Sequence, residues 1–343
     1  MRREPIRIGI IGAGENTRTR HIPGLLALED VKIISVCNRS RVSVERVDVN
    51  FDIARVSEEC HDVIYDDDIN AIVIGTWPYL HAPATLLALE HDKHVLCEAR
   101  MATNAEEAHR MLQAAQARPH LVAQIVPSPL TLRLDETIKQ ILAEGRIGQI
   151  LAIELRDGGA FLETKAPLHW RQDFDLSGHN IMTLGIWYEC ILRWFDAATS
   201  VMAMGKTFVK TRTTADGEVK SVRIPEHLDV IADMANGAQM HMQISSVTGL
   251  AGPTELYIFG ERGTLRISDD KIFGAQKNAD TFQEIPVPPE LEGAWRVEEE
   301  FINAIRGEER VQFTTFSEGV KYMEFTEAVS RSMASGQKIN LPL

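Results

Sequence analysis

The stretch that decides the fold reads IRIGIIGAGENT, from Ile6 to Thr17. It starts as a short apolar run rich in isoleucine, and glycine follows directly. A continuous apolar run is typical of a strand that is buried on both faces of a sheet. Residues 18–29 can form a helix, so the order is strand, tight glycine turn and helix. That order predicts the first unit of a nucleotide-binding sheet, because it places a glycine turn at a helix N-terminus.

The first third of the chain repeats this alternation. Further strands are predicted at Val31–Cys37, Ile69–Thr76, His94–Cys97 and Leu121–Val126. Helices are predicted between them at Pro83–His91 and Asn104–Ala117. Strands separated by helices indicate a parallel, doubly wound sheet. We therefore expect an α/β fold that begins with a Rossmann domain over residues 1–126.

The pattern changes after the segment Pro127–Pro129. Longer strands are predicted at Leu151–Arg156, Val201–Lys210, His227–Ala235, Gln239–Val247 and Thr254–Phe259. Asn236-Gly237 lies between two of these runs and is a strong hairpin signal. Residues 295–307 and 316–335 are helical by periodicity. We expect an α+β domain over residues 127–343 with a large open, mostly antiparallel sheet.

The bulk composition is that of a soluble globular protein. The chain has 343 residues, of which 44% are hydrophobic and 25% charged, and this length favours two domains. A net charge of −13 argues against a nucleic-acid surface, which needs a basic stripe. No apolar run approaches the roughly 18 residues that span a bilayer. We expect a small-molecule substrate, and neither nucleic acid nor membrane as a partner.

The cysteines and the first residues of the chain give an indication of the cellular compartment. Cys37, Cys60, Cys97 and Cys190 form no Cys-x-x-Cys pair, so we expect reduced thiols and no metal site. The first five residues lead directly into a predicted strand, so we expect no signal peptide. These features predict a cytoplasmic protein.

The glycine turn is the predicted nucleotide site. Gly12 permits the tight bend, and Gly14 lets the main chain approach a pyrophosphate at the helix N-terminus. We expect Glu15, Asn16 and Thr17 to lie beside the same cofactor. Thr17 replaces the third glycine of the fingerprint, so it either crowds the helix against the strand or donates its hydroxyl to phosphate. The alternative is an ordinary strand–helix turn.

The end of the second predicted strand bears on the choice between NAD and NADP. An NAD site usually has a carboxylate here for the ribose 2′-hydroxyl. Asn38 has no charge that would repel a 2′-phosphate, and Arg39 and Ser40 can bind one. We therefore favour NADP over NAD as the cofactor. The alternative is that Arg39 is a solvated loop arginine.

Residues 95–101 read VLCEARM and end a segment that is typical of the second half of a nucleotide-binding domain. The run resembles the Glu-Lys-Pro motif of the Gfo/Idh/MocA (glucose–fructose oxidoreductase / inositol dehydrogenase) family. The resemblance implies that Glu98 lies on the cofactor side and that position 99 lies beside the nicotinamide and the substrate carbonyl. Ala99 stands where the family has its lysine, and Arg100 where it has proline. Arg100 can act there only as a fixed cation, because a guanidinium does not deprotonate.

The turn after the third strand resembles a second family motif, Thr-x-Pro-x-x-x-His, which lies under the nicotinamide ribose. By this resemblance Thr76, Trp77, Pro78 and His81 are cofactor-side residues, although His81 comes one residue early. His81 could equally cap the helix that follows it.

The segment His169–Glu189 resembles the family's Trp-Arg segment and the glycine-rich helix after it. Gly178 and Gly185 set the register, which places the family's aspartate at Thr183 and its histidine at Trp187. The usual lysine, aspartate and histidine are therefore all absent. Hydride transfer to or from a hydroxyl compound needs a positioned acid or base, so the replacements decide the chemistry.

Replacement groups are present in the same segment. His179, Thr183 and Trp187 are spaced four apart and are expected to share one helix face. We assign catalysis to His179, which titrates near neutral pH, together with Arg100 and Thr183. The predicted substrate-binding residues, which supply stacking walls and hydrogen bonds, are Trp170, Arg171, Asn180 and Trp187. The alternative is that His179 caps a helix and the tryptophans belong to the core.

Further likeness runs to the end of the chain, at Ile141–Ile150, Glu261–Leu265 and Glu300–Gly307. Three hypotheses follow. The favoured one is an NAD(P)-dependent oxidoreductase that acts on a sugar, cyclitol or related hydroxy compound with altered acid/base residues. The others are a catalytically inactive nucleotide-binding sensor or scaffold, and a lyase or glycosidase-like enzyme that holds NAD tightly.

An open sheet needs cover on its free face, so a homodimer or homotetramer is expected. The resemblance implies pairing through that face. We expect Met240, Met242 and Ile244, which share one strand parity, to make it apolar.

Overall fold

The computed structural model describes residues 4–39, 51, 53 and 55–343. The chain forms two compact units, Met1–Pro127 with Arg296–Val320, and Ser128–Trp295 with Lys321–Leu343. The return of residues 296–320 to the first unit differs from the division expected from the sequence. A main-chain pairing joins Thr314 of this segment to Ile125 of the first unit, at 2.9 Å and 3.2 Å in the two directions. Such a distant pairing leaves no mark on local periodicity.

The first unit contains a parallel sheet of the predicted kind. Its strands are β1 (Ile6–Ile11), β2 (Val31–Cys37), β3 (Arg55–Ser57), β4 (Ala71–Ile74), β5 (His94–Cys97) and β6 (Ala123–Ile125). Their order is β3-β2-β1-β4-β5-β6, so the chain reverses direction across the sheet next to β1. All four residues of β4 are buried, as expected for a strand covered on both faces. The reversal point is where α/β sheets bind ligands, outside the carboxyl ends of the strands.

The second unit contains a nine-stranded mixed sheet. The strands of this sheet are β7 (Ile150–Gly159), β8 (Ala198–Lys206), β11 (His227–Met234), β12 (Gln239–Gly249), β13 (Glu255–Gly260), β14 (Gly263–Ser268), β15 (Lys271–Gln276), β16 (Gln283–Ile285) and β17 (Ile339–Asn340). A separate two-stranded hairpin consists of β9 (Thr211–Thr213) and β10 (Val219–Ser221). The order in the large sheet is β16-β15-β14-β13-β7-β12-β11-β8-β17, and only the β7–β12 pair is parallel. The hairpin predicted at Asn236-Gly237 is confirmed, since β11 and β12 pair antiparallel across it.

The helices are α1 (Ile22–Leu26), α2 (Cys60–Tyr65), α3 (His81–Glu90), α4 (Ala105–Gln116), α5 (Asp135–Ala143), α6 (Phe174–Ser177), α7 (Leu184–Leu192), α8 (Val297–Arg306) and α9 (Phe316–Ser335). A π-helical turn, Thr17–His21, precedes α1, so the helix predicted over residues 18–29 is shorter and irregular. Helix α4 begins where expected, because the Asn104 side chain caps it by accepting from the Glu107 N–H. Among the described residues, the helices are all too short or too polar to cross a membrane.

The open face of the large sheet differs from the prediction. The residues expected on it lie in the core: Met240, Met242 and Ile244. The alternate residues along these strands face outward. Among them, Met202, Met204 and Ile231 are 52%, 78% and 51% exposed. Ile231 of β11 pairs directly with Met202 of β8, so these side chains form one patch. The predicted residues were wrong because strand parity alone does not tell which face is buried.

Candidate functional site

The glycine turn after β1 has the shape that a nucleotide pyrophosphate needs. Gly12 has a φ of +87°, a conformation that favours glycine. A Cβ atom on Gly12 would lie 2.8 Å from main-chain atoms of Gly75 and Thr76. Around Gly14, which is exposed, the nearest neighbour of an added Cβ is the Gly75 carbonyl oxygen at 3.5 Å. The turn is therefore closed at Gly12 and open to a ligand at Gly14.

Thr17 is buried inside this turn. It is 1% exposed, and its hydroxyl donates to the Gly12 carbonyl at 3.2 Å. A Cβ on Gly75, directly after β4, would collide with the Thr17 hydroxyl. Of the two possibilities for Thr17, the structure supports close packing of the turn, since the hydroxyl is engaged within it. Gly75 supplies the space that the missing third glycine usually provides.

A cavity of about 420 Å³ opens beside the turn. Six residues of its wall belong to the predicted cofactor site: Gly12, Gly14, Asn38, Arg39, Thr76 and Trp77. The volume lies in the ordinary range of small-molecule pockets. A glycine cradle on a pocket of this size fits a dinucleotide. Ser40, also predicted here, lies outside the described residues.

The pocket wall carries both signs of charge. The Arg39 guanidinium lies over the Trp77 ring, 5.2 Å from its centroid. The Asn38 side-chain oxygen accepts from the Arg39 N–H at 3.0 Å, so it is held against the strand end. Glu58 lines the same pocket and was not predicted from the sequence. Arg39 thus places a positive charge on the pocket wall, and Glu58 places a negative one.

Glu98 belongs to a buried charge cluster of the first unit. Its carboxylate accepts from the Asn16 amide and the Ala99 N–H, and lies 3.0 Å from His21 Nε2. His21 Nδ1 lies 2.5 Å from Glu298. Burial alone would lower the pKa of His21, but hydrogen bonds to both glutamates outweigh it and raise the pKa to about 9. Burial would raise the pKa of Glu98, but the hydrogen bond and charge of His21 lower it. The cluster is thus an imidazolium between two carboxylates.

The positions of Asn16 and Glu98 follow from this cluster. Both were predicted to bind cofactor, and the structure ties them to each other and to His21. Glu15, which precedes Asn16 and was also predicted to bind cofactor, is exposed. His21 and Glu298 were missed, because a lone histidine and a glutamate 277 residues away carry no shared motif.

His81 joins two loops at the carboxyl edge of the parallel sheet. Its Nδ1 lies 2.9 Å from the Arg100 carbonyl and its Nε2 lies 3.0 Å from the Thr76 carbonyl. The ring is fully buried, and burial lowers its pKa. The alternative interpretation, in which His81 caps α3, is not observed, since that helix start has no side-chain cap. His81 therefore lies as a brace between the Thr76 and Arg100 carbonyls, and in its neutral form its single N–H donates to one of them.

Two further predicted residues lie close to this brace in sequence. Pro78 is buried and opens the short 3-10 turn before α3. Arg100 is 3% exposed, so its guanidinium is enclosed.

The second unit contains a carboxylate that the sequence analysis missed. Asp157, near the end of β7, accepts hydrogen bonds from Thr183 Oγ1 at 2.5 Å and from Trp187 Nε1 at 3.1 Å. Thr254 Oγ1 donates to its other oxygen at 2.7 Å. Thr183 and Trp187 are the positions assigned to the family's aspartate and histidine. A carboxylate is therefore present beside them, supplied by a strand.

His179 does not share a helix face with Thr183 and Trp187. Helix α7 begins at Leu184 with Thr183 as its N-cap residue, and His179 lies in the turn before it. The His179 ring packs edge-on against Phe174, with centroids 5.2 Å apart. Burial lowers its pKa, and the nearby Glu327 only partly offsets this. The expectation of a common face was wrong, because the helix starts later than the four-residue spacing suggested.

The predicted substrate residues are placed differently from one another. The Arg171 guanidinium lies over the Trp170 ring at 4.2 Å, and Trp170 is half-buried. Asn180 is 1% exposed and donates its amide to the Ser177 carbonyl at 2.7 Å. Trp187 is 9% exposed and is tied to Asp157. Trp170 and Arg171 thus remain accessible, whereas Asn180 and Trp187 are enclosed.

Two models of one protein family match the chain. The GFO/IDH/MocA model described as "Oxidoreductase family, NAD-binding Rossmann fold" matches residues 6–124. The GFO/IDH/MocA C-terminal domain model matches residues 136–266. Together they cover more than two thirds of the chain.

Individual relatives are distant. An uncharacterized oxidoreductase of Rhizobium meliloti is 27% identical over 56% of this chain and 57% of its own length. D-xylose 1-dehydrogenase [NADP(+)] of Haloarcula marismortui is 27% identical over 72% of this chain and 71% of its own. Among solved structures, levoglucosan dehydrogenase in complex with NADH and L-sorbose has a TM-score of 0.85 at 20% identity, covering 98% of this chain and 99% of that one. At that identity the likeness establishes the fold alone.

Proposed function

Because the chain belongs to the GFO/IDH/MocA family of NAD-binding oxidoreductases, we propose that it oxidises or reduces a sugar, cyclitol or related hydroxy compound with NAD(P). The observation that carries this proposal is the carboxylate of Asp157. It lies against Thr183 and Trp187, where the family's acid/base residues are expected. The names of the xylose and levoglucosan dehydrogenases support a polyol substrate class.

The first unit carries the proposed cofactor residues. Gly12 and Gly14 let the main chain meet the pyrophosphate, and Asn38 and Arg39 meet the adenosine ribose. When bound, the dinucleotide supplies a nicotinamide that exchanges a hydride with the substrate carbon. We favour NADP, because Arg39 lines the pocket and Asn38 has no charge to repel a phosphate. Glu58 is the opposing group, so its charge reduces this preference.

The second unit carries the proposed proton acceptor. Oxidation of an alcohol releases a proton from its oxygen as the hydride leaves its carbon. We assign this proton to a relay in which the Thr183 hydroxyl accepts it and passes its own proton to Asp157. The existing hydrogen bond from Thr183 to Asp157 already points the proton in this direction. Trp187 and Thr254 hold the carboxylate in place. The threonine alone is too weak a base, and the carboxylate makes the relay possible.

A substrate screen tests the function. The purified protein is incubated with sugars, cyclitols and cyclic diols, each with NAD+ and with NADP+, and reduced cofactor is followed by absorbance. We expect turnover with at least one polyol. Tight cofactor binding without turnover across the screen would instead support a nucleotide-binding sensor or scaffold.

The exposed patch of the large sheet supports a proposed homo-oligomer. Met202, Met204 and Ile231 are large apolar side chains on neighbouring strands, and exposed patches of this kind mark interaction sites. We propose that two copies pair through this face. Met204→Asp should shift the protein to monomer in light scattering at micromolar concentration, whereas Met240→Leu, a core change, should not. A wild-type monomer would contradict the proposal.

A further inference from the structure

Two of the free thiols meet in the wall of the nucleotide pocket. Cys37 is the last residue of β2 and Cys60 the first residue of α2. Their sulfur atoms are 3.5 Å apart, and both residues line the 420 Å³ cavity. Cys37 is 1% exposed, while Cys60 is half-buried. A reagent in the cavity therefore reaches Cys60 more readily than Cys37.

The contact between the two sulfurs also shifts the pKa values of the two thiols in opposite directions. The hydrogen bond with Cys37 lowers the pKa of Cys60, although burial acts in the opposite direction. The same hydrogen bond, together with burial, raises the pKa of Cys37. A thiolate is the reactive form of cysteine. Cys60 is thus the nucleophile of the pair, and Cys37 keeps its proton beside it.

We propose that Cys37 and Cys60 are a peroxide-sensitive pair that closes to a disulfide within the nucleotide pocket. The Cys60 thiolate attacks one oxygen of a hydroperoxide, the O–O bond breaks, and Cys60 becomes a sulfenic acid as hydroxide or alkoxide leaves. The leaving group takes a proton from solvent, which replaces the proton that Cys60 lost on ionisation, and becomes water or an alcohol. Cys37 sulfur then attacks the Cys60 sulfur, loses its proton, and the sulfenic oxygen leaves as water. In sum, two thiols are oxidised by two electrons and one peroxide is reduced.

The other two cysteines are internal controls. Cys97 and Cys190 are both 0% exposed. The Cys97 sulfur donates to the Glu98 carbonyl, and the Cys190 sulfur contacts Ser128 Oγ at 3.3 Å. Burial raises the pKa of Cys97 and raises that of Cys190 to about 11. They are poor targets for a peroxide, so selective reaction at Cys60 distinguishes a built site from general oxidation.

Closure of the pair changes the pocket itself. A disulfide holds its sulfurs about 2.05 Å apart, so the two walls must approach from the observed separation. The Cys37 carbonyl accepts from the Gly12 N–H at 2.8 Å, which links its movement to the glycine turn. Asn38 and Arg39 follow directly in the chain. We therefore expect a bound dinucleotide to shield the thiols and the disulfide to weaken dinucleotide binding.

Peptide mapping of the full-length protein tests the proposal. The reduced protein is treated with hydrogen peroxide, blocked with an alkylating reagent and digested without reductant. We expect a Cys37–Cys60 cross-linked peptide, with Cys97 and Cys190 alkylated and unoxidised. Saturating NADP+ should slow the reaction at Cys60 about tenfold or more, and dithiothreitol should restore cofactor affinity after oxidation.

Variants separate the two steps. Cys37→Ser should stop at a sulfenic acid that dimedone traps, whereas Cys60→Ser should yield neither product. If a variant does not fold, the alkylation rates of the four cysteines in the wild type rank their reactivity, and Cys60 should react first. Oxidation of Cys97 or Cys190 before Cys60, or sulfinic acid without the cross-link, would overturn the proposal. The cross-link is measured without nucleotide or substrate, and only the shielding step rests on the proposed cofactor. If the protein is not a dehydrogenase, the cross-link experiment therefore still tests the disulfide.

Discussion

The glycine turn of the first unit and the Asp157 cluster of the second unit are built in different ways. The turn is mainly a main-chain structure, formed by a short run of sequence and closed by Gly75. The cluster is a side-chain structure, in which a strand, a helix start and a loop residue 97 positions away meet at one carboxylate. A main-chain site of this kind depends on glycine where φ is positive, as at Gly12. A side-chain site can take its carboxylate from a different helix or strand. The family's aspartate can therefore be absent at Thr183 while β7 supplies a carboxylate, Asp157, at the same place.

The Asp157 cluster is most directly tested by removing its charge. Asp157→Asn keeps the shape of the side chain but cannot accept the proton from Thr183. We expect the turnover rate to fall by about 100-fold or more, the usual range for loss of a general acid or base. Cofactor affinity should hardly change, because Asp157 is not part of the glycine turn or of the pocket wall beside it. Steady-state kinetics and calorimetric titration of the cofactor measure the two effects.

His179 supplies the contrast for that experiment. His179→Ala should cost less activity than Asp157→Asn, because His179 lies outside the helix face that carries Trp187. Asp216→Asn, in an exposed turn, is the control for a surface change. A larger loss in His179→Ala than in Asp157→Asn would return the acid/base role to the histidine and remove Asp157 from the relay.

The glycine turn is tested by two matched substitutions. Gly12→Ala meets main-chain atoms and an unfavourable φ, so we expect a loss of about 2–4 kcal/mol in the free energy of unfolding. Gly14→Ala has room within the protein and should leave stability nearly unchanged while it weakens cofactor binding. Thermal unfolding and calorimetric titration separate these effects. Equal stability losses in both variants would mean that the turn is not closed at Gly12 and open at Gly14.

The His21 cluster predicts a pH dependence of stability. The pKa of His21 is about 9 in the folded protein against about 6.5 in the unfolded chain. Its contribution is therefore fully present below pH ~6.5 and is lost as the pH rises through ~9, and it amounts to about 3 kcal/mol. Denaturant unfolding of the wild type and of His21→Gln should give a difference that shrinks over this window. A constant difference would show that His21 is not charged between Glu98 and Glu298.

The cofactor preference is the smallest expected effect. Arg39→Ala should weaken NADP binding by about tenfold, the scale of one charge-assisted hydrogen bond, and change NAD binding little. Glu58→Gln, on the same pocket, should strengthen NADP binding slightly by removing a like charge. Calorimetric titrations with both cofactors compare the variants. Parallel losses for NAD and NADP in Arg39→Ala would assign Arg39 to packing on Trp77 instead of phosphate recognition.

The two sites also differ in how far the sequence predicted them. Gly12 and Gly14 follow a strand and open a helix, so the tight turn could be predicted from neighbouring residues. Thr183 and Trp187 were singled out by register, and the structure brings them together. Asp157 carried no signal, because its partners lie 26, 30 and 97 residues away. Glu58, His21 and the Cys37–Cys60 contact were missed for the same reason.

The sequence by itself determined the parallel sheet of the first unit, the large sheet of the second and the glycine turn. Each of these is a local pattern, set by apolar periodicity or by conformations that glycine favours. Only the tertiary structure decided where α7 begins, which parity of β12 is buried and which carboxylate meets Thr183. These depend on packing between distant segments, and the pairing of buried polar groups is settled only when those segments meet.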